Sequence, residues 1–338
     1  MTALKIRPLS FFSILLLATS VVGCEDEHYI NESGMVWNTL YNITYSAPKS
    51  LEDSIKATMR RVELSLSPFN ESSLITRINK GETDSTDVLI DTVFAVSKKV
   101  NELSSGVFDP SAAPLFSLWN VGHGAKSNID PTDQQIDSAL TLVGIDSCFI
   151  NNGLITRKSL GTQFNFSAIT KGFGCDMVGE TLRRNGCENY MVEIGGEIAL
   201  SGFAPSGQLW RIQIDAPEFN DSTVTHTRLG VIELSNCGVA TSGNYRNFRR
   251  DKNGRLYGHT ISPVNGRPVT SVSTLSATII APDCMLADAL ATACMAMPLN
   301  DAMAMLESID DVEGLLISAK DEGGYYFDTT SGFPQIKK

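Results

Sequence analysis

The chain has 338 residues, 42% of them apolar and 19% charged, an ordinary globular composition long enough for one large domain or two modest ones. Its 38 acidic residues outnumber 27 basic ones, for a net charge of −11. So acidic a balance, with no run of like charge longer than a few residues, argues against nucleic acid as a partner, because phosphate neutralisation needs clustered Lys and Arg.

At the N-terminus Lys5 and Arg7 precede the apolar run FFSILLLATSVV, too short and wrongly flanked to span a membrane, and the run closes on VVGC. A small residue directly before a cysteine at the end of such a run resembles a bacterial lipoprotein cleavage site. The expectation is a signal peptide over residues 1–23 and a mature chain lipidated at Cys24, anchored to a membrane and facing the periplasm or the cell exterior. The plainer alternative is a secretory peptide cut nearby. Loss of Lys5 and Arg7 would take the net charge from −11 to −13. Residues 24–34 read as a short polar tether, and 35–338 as one domain, since no long linker, repeat or low-complexity run divides them.

The alternating, aromatic stretch MVWNTLYNITYS reads as a first strand. Amphipathic helices are expected near 50–65, 87–104 and 132–141. Between them GVFDPSAAPLFSLWNVG reads as a turn feeding a short helix, with Phe108, Phe116 and Trp119 as core anchors. GHGAKS, from Gly122 to Ser127, lacks the glycine and the spacing of a phosphate loop. From about residue 145 the texture changes to short β-branched strands between Gly, Asn and Asp turns: CFINNGLITR, YMVEIGGEIALSGF, LWRIQIDAP and LGVIELSN.

FNFSAITKGFGCDMVGETLRRNG interrupts them. Phe164, Phe166 and Ala168 share one face of an extended segment, and from Lys171 the apolar spacing lengthens to a helical period closed by Asn185-Gly186. Lys171 at the mouth of a helix costs energy unless an anion sits opposite. KGFGCDM has Met177 where a dinucleotide fingerprint needs its third glycine. GVATSGNYRNF and YGHTISPVNGRPV read as loops that end strands, carrying Thr241, Ser242, Arg246 and His259. His259 has the free pKa for proton transfer near neutrality, although a lone histidine is more often structural.

A last helix is expected over 284–297, where CMLADALATACMAMP holds Asp288 and Thr292 four apart on one apolar face. A lone carboxylate there is expensive to bury unless paired, hydrogen-bonded or metal-bound, and with the hydroxyl it suits a hard cation such as Mg²⁺. The other reading is a buried Asp capping a loop, with Thr292 bonding back to its own helix. The six cysteines after Cys24 form no C-x-x-C pair, and most sit among small apolar residues, as buried thiols do. Hairpin strands with segregated helices favour an α+β fold of mixed or antiparallel sheets.

Taken in order, GMVWNTLYNITY, SPFNESSLITRIN, GVFDPSAAPLFSLWNVG, FNFSAITKGFGCD, YMVEIGGEIALSGF, GVATSGNYRNF, YGHTISPVNGRPV and LADALAT resemble the FAD:protein FMN transferases, the ApbE-type family, from about Met35 to the C-terminus. The resemblance implies a single α+β domain that binds FAD with Mg²⁺, splits its pyrophosphate, transfers FMN to a Thr or Ser of an exported partner and releases AMP. Carried over by position, it implies Ala168, Asp288 and Thr292 as metal ligands, the first through its carbonyl. It implies FAD contacts from Met35, Phe69, Gly106, Val107, Phe108, Asn165, Lys171 and Ile261. His259 would take the proton of the incoming hydroxyl. The anion opposite Lys171 would be FAD or its pyrophosphate. Two positions depart from the family pattern, Asn165 and Ser262 each standing where aspartate is usual. An FAD pyrophosphatase using water, and a non-catalytic FAD-binding lipoprotein, are the alternatives.

Overall fold

A computed structural model describes residues 28–119, 130–216, 228–243, 248–250, 256–258, 260–269, 274–320 and 324–338. Its first strands, β1 (Tyr29–Val36) and β2 (Thr39–Ser46), form an antiparallel hairpin that sets Met35 opposite Leu40. The turn is Trp37-Asn38, with φ of 49° and 60°, the left-handed pair that matches strand twist. A tryptophan is a costly occupant of that region. Its ring packs where a Cβ on Gly174 would stand, 2.4 Å from the nearest ring carbon. β1 begins inside the stretch expected to be a tether. Asn31 and Glu32 there are satisfied by the hairpin and the chain just after it, Thr44 donating to Asn31, and Tyr45 and Ser50 to Glu32.

Next come α1 (Glu52–Leu66), α2 (Leu74–Asn79), α3 (Val88–Leu103), α4 (Ala113–Leu118) and α5 (Asp133–Leu140). Three of these starts are written in side chains: Ser73 and Asp87 cap α2 and α3, and Thr132 with Gln135 makes a capping box at α5. The hairpin of β3 (Phe149–Asn151) and β4 (Leu154–Thr156) turns through Asn152-Gly153, and α6 (Ser167–Arg184) follows. Then run β5 (Tyr190–Ile194), β6 (Glu197–Ser201), β7 (Trp210–Asp215), β8 (Arg228–Leu234), β9 (Gly238–Gly243), β10 (Phe248–Arg250), β11 (Leu256–Gly258) and β12 (Thr274–Ala281). α7 (Cys284–Cys294), α8 (Leu299–Glu307), β13 (Glu313–Ala319) and β14 (Tyr325–Thr329) complete the chain.

One antiparallel sheet of eight strands, in the order β1-β2-β5-β6-β9-β12-β13-β14, organises the fold, which is α+β as expected. Period-2 alternation buries both of its faces. On β12 and β13, Ala277, Ile279 and Leu316 join the core formed with α3, α6 and α7. Ile280, Leu315 and Ile317 on the same strands pack against Trp210, Ile212 and Ile232 of the β7–β8 ribbon. A satellite cluster of Leu115, Trp119, Ile136 and Ile261 anchors the α4–α5 corner, and Trp119 donates to the Gly266 carbonyl at 2.8 Å. The cysteines of the described residues are all free thiols, and all but Cys237 are buried.

Two local expectations are corrected. Phe164 and Phe166 stack in the core, with ring centroids 5.9 Å apart, but their segment is not a strand. The Asn79 side chain takes both backbone groups of Phe164, and Asn165 Oδ1 accepts from Ser167 N at 2.9 Å, turning the chain into α6 before Ala168. GVATSG is likewise a strand, β9, paired with β6 and β12, and not a loop.

Candidate active site

The site is built where α6 meets α7. A Cβ on Gly172 would lie 2.2 Å from the Cys284 carbonyl oxygen, so only glycine lets the helices approach this closely. One turn on, Asp176 accepts from Cys284 N at 2.9 Å and Met285 N at 2.7 Å, satisfying the mouth of α7 from a neighbouring helix. Asp283, the residue before α7, caps Leu286 N. The glycines of the α6 motif thus serve close packing. Lys171 lies inside the first turns of α6 rather than at its mouth, because the helix starts at Ser167.

Asp288 is 3% exposed, and its Oδ2 accepts from Gly172 N at 2.9 Å, the N–H that helical geometry aims at the Ala168 carbonyl. Thr292 Oγ1 lies 3.5 Å from that carbonyl oxygen and 3.5 Å from Ser242 Oγ on β9. The three inferred metal ligands therefore lie along one stretch of the α6–α7 seam. Thr292 and Ala168 open onto a cavity of about 280 Å³ that is also walled by Phe69, Val107, Phe108, Asn165 and Ile261. Phe69 and Ser167 are shared with a neighbouring cavity of about 610 Å³, into which Trp37, Asn38, Thr170 and Lys171 face.

Of the remaining expected contacts, Gly106, with φ +85°, precedes Val107 at the turn that presents the cavity wall. Asp109 orders this turn by accepting from Ser111 and from Ile145 N. Met35 is 73% exposed at the end of β1 and belongs to neither wall. Ser262, at a departure from the family pattern, closes a backbone turn with Gly266 and Arg267. His259 and Arg246 lie outside the described residues, as do Cys24, residues 1–23 and Gly122–Ser127.

The electrostatics centre on a residue that sequence reasoning missed. Lys171 pairs with Glu197, 3% exposed at the start of β6. Burial opposes the charge on Lys171, but the carboxylates of Asp288 and Glu197 outweigh it and hold the ammonium above its usual pKa. Burial also pushes both carboxyls up, against the pull of Lys171. Within the protein, the anion that Lys171 meets is thus the Glu197 carboxylate. The available signal was the buried polar residue directly after Gly195-Gly196 in YMVEIGGEIALSGF, a glycine turn that delivers a carboxylate to the core.

A hard divalent cation fits these residues. No cluster of three His, Cys, Asp or Glu capable of holding a metal exists among the described residues. The oxygen set of one carboxylate, one hydroxyl and one carbonyl instead suits a cation that keeps waters and substrate phosphates as its other ligands. Burial pushes up both the Asp288 and the Glu197 carboxyls around the single Lys171 ammonium, and a bound cation would favour their charged forms.

Residues 37–316 match the model described as the ApbE family. A FAD:protein FMN transferase of Vibrio cholerae is 33% identical, over 96% of this chain and 97% of its own length. One from Haemophilus influenzae is 29% identical, over 95% of each chain. The solved flavin transferase ApbE from Vibrio cholerae superposes with a TM-score of 0.80 at 31% identity, covering 91% of this chain and 98% of that one.

Proposed function

The chain belongs to the ApbE family and is a transferase, and we propose that it moves the FMN half of FAD onto a hydroxyl of an acceptor protein, with Mg²⁺ held by Asp288, Thr292 and the Ala168 carbonyl. Flavin transfer rests on the family and on the names of its relatives. The observation that carries the rest is that Thr292 and the Ala168 carbonyl meet on the wall of an aromatic-lined cavity, with the buried Asp288 carboxyl behind them on the same helix seam. In this reading Phe69 and the Val107-Phe108 turn bind the flavin, while Asn165 and Ile261 orient it. Lys171, held by Glu197, sets positive charge beside the pyrophosphate.

A Thr or Ser hydroxyl of the acceptor attacks the phosphorus of the FMN half. The new P–O bond forms as the bond to the AMP phosphate breaks, and AMP leaves. His259 takes the hydroxyl proton. When bound, Mg²⁺ supplies charge neutralisation at the pyrophosphate and on the leaving group. Phosphoryl-type transfer asks mainly for positioning and electrostatics, which a buried seam of two helices can fix. The apolar run ending in VVGC supports export, removal of residues 1–23 and lipid anchoring at Cys24, with the domain facing the periplasm or cell exterior.

The test is incubation with FAD and Mg²⁺, with and without EDTA and an acceptor protein bearing an exposed threonine motif, following AMP and FMN by chromatography. AMP that requires both metal and acceptor, with flavin left covalently on the acceptor, is the expected result. Free FMN without acceptor would make the protein a hydrolase, and intact FAD under every condition a flavin binder.

A further inference from the structure

Glu197 belongs to neither the inferred metal set nor the FAD contacts, yet α6 grips it from one face. Lys171 pairs with its Oε1, and one turn on Cys175 Sγ donates to its backbone carbonyl at 3.2 Å. Its position is fixed further by the Gly195-Gly196 turn, with φ of 68° and 103°. The second oxygen, Oε2, is buried with no hydrogen-bond partner among the described residues. A buried carboxylate, half unsatisfied, is a standing cost to the fold. The Asp288 carboxyl meets α6 one residue along from Lys171, accepting from Gly172 N at 2.9 Å, and its charge helps to hold the Lys171 ammonium protonated. One ammonium on a flexible four-carbon stem therefore has two carboxylates within its field, and it can neutralise only one of them.

We propose that Glu197 is a positioning residue that holds the Lys171 ammonium away from Asp288, so that the Asp288 carboxylate keeps its charge for a divalent cation. The inference rests on the reading of Asp288 as a metal ligand given above. Without the Glu197 charge, Lys171 turns to the next carboxylate, and a Lys–Asp pair competes with the cation for the same oxygen lone pairs. The unsatisfied Oε2 fits this role: the carboxylate is kept for its charge, not for its hydrogen-bond count.

Mn²⁺ serves as the probe, its binding to the purified full chain followed without FAD by loss of the free-ion electron paramagnetic resonance signal. Glu197→Gln keeps the volume and an acceptor but removes the charge, and is expected to weaken Mn²⁺ binding by about ten- to a hundredfold, as loss of a group supporting a metal ligand does. Adding Lys171→Met in the same chain removes the competing ammonium, and is expected to return Mn²⁺ affinity close to that of the unsubstituted protein. A merely structural role for Glu197 would leave the double variant at least as weak as the single one. Undiminished Mn²⁺ binding in Glu197→Gln, or no recovery in the double variant, would overturn the proposal. Asp288→Ala separates the two layers: if it binds Mn²⁺ as well as the unsubstituted chain, the metal reading falls and the inference with it.

Discussion

Gly172→Ala sets two effects against each other. Alanine in a helix interior is favoured over glycine by about 0.8–1 kcal/mol, so propensity alone makes the variant more stable. The structure says otherwise. The new Cβ would stand 2.2 Å from the Cys284 carbonyl oxygen, 2.7 Å from its carbon and 2.8 Å from the Asp288 Cβ. The first two are backbone atoms of α7, so relief means moving a helix and not turning a side chain. Overpacking of this kind costs about 1–3 kcal/mol. Separation of α6 from α7 also lengthens the Gly172 N–H bond to Asp288, and a hydrogen bond to a charged group is worth about 1.5–3 kcal/mol. Against the propensity gain, the net loss is about 2–5 kcal/mol. For a domain of this size that is roughly 4–10 °C in Tm, readable by circular dichroism melting. Two neighbours calibrate the result. The Cβ of Gly174→Ala meets the Trp37 ring at 2.4 Å and that of Gly179→Ala meets Tyr190 at 3.0 Å, both side chains that can yield. The expected order of damage is Gly172 first, Gly174 second and Gly179 last. A Gly172→Ala protein as stable as its parent would refute the close-packing argument.

Two further outcomes follow from the geometry. Burial, and then the charge of Asp283, push Asp176 up to about 7, whereas an unfolded aspartate titrates near about 3.9. Between those values the native chain binds more protons than the unfolded one, so this group makes stability fall as pH rises, by at most about 1.4 kcal/mol per unit, and adds no slope above about pH 7. Urea denaturation at successive pH values should show that slope flatten in Asp176→Asn, and an unchanged slope would exclude Asp176 as its source. Phe69, 52% exposed between the two cavities, should when replaced by alanine raise KM for FAD by about two- to tenfold, the worth of one aromatic stacking contact. Its Tm should barely move, and an unchanged KM would place the flavin elsewhere.

Helix periodicity, capping residues and glycine turns are local signals, and they carried well. α1, α3 and α5 lie within a few residues of their sequence-read bounds, and the Asn152-Gly153 and Gly195-Gly196 turns join hairpins as written. The misreadings have a common origin in long-range partners. Phe164 and Phe166 alternate like a strand, but the Phe164 backbone is satisfied by Asn79, 85 residues away. Lys171 looked like a cation awaiting a ligand, because Glu197 comes to it only through the β5–β6 hairpin. In Asp288 and Thr292 the periodicity exposed an odd polar pair on an apolar helix, while their approach to Ala168 depends on how two helices pack. That depth of contact is set by Gly172 and Gly238, whose missing side chains leave room for Cys284. A residue's absence of bulk is hard to weigh in a string of letters.

The seam between α6 and α7 also fixes when the protein becomes competent. Its defining contacts join Gly172 to Asp288, 116 residues apart, and Thr292 to Ala168, 124 apart. The donors of the carboxylate and hydroxyl lie far along the chain, past the strands that must pair before α7 has a surface to land on. A growing or threading polypeptide therefore holds no partial version of the site until nearly its whole length is available. Contacts of such separation form late, because the loop they close must first be ordered. On the proposed reading, neither cation nor nucleotide would then act as the seed around which this chain folds; each would only reward a chain that has already finished.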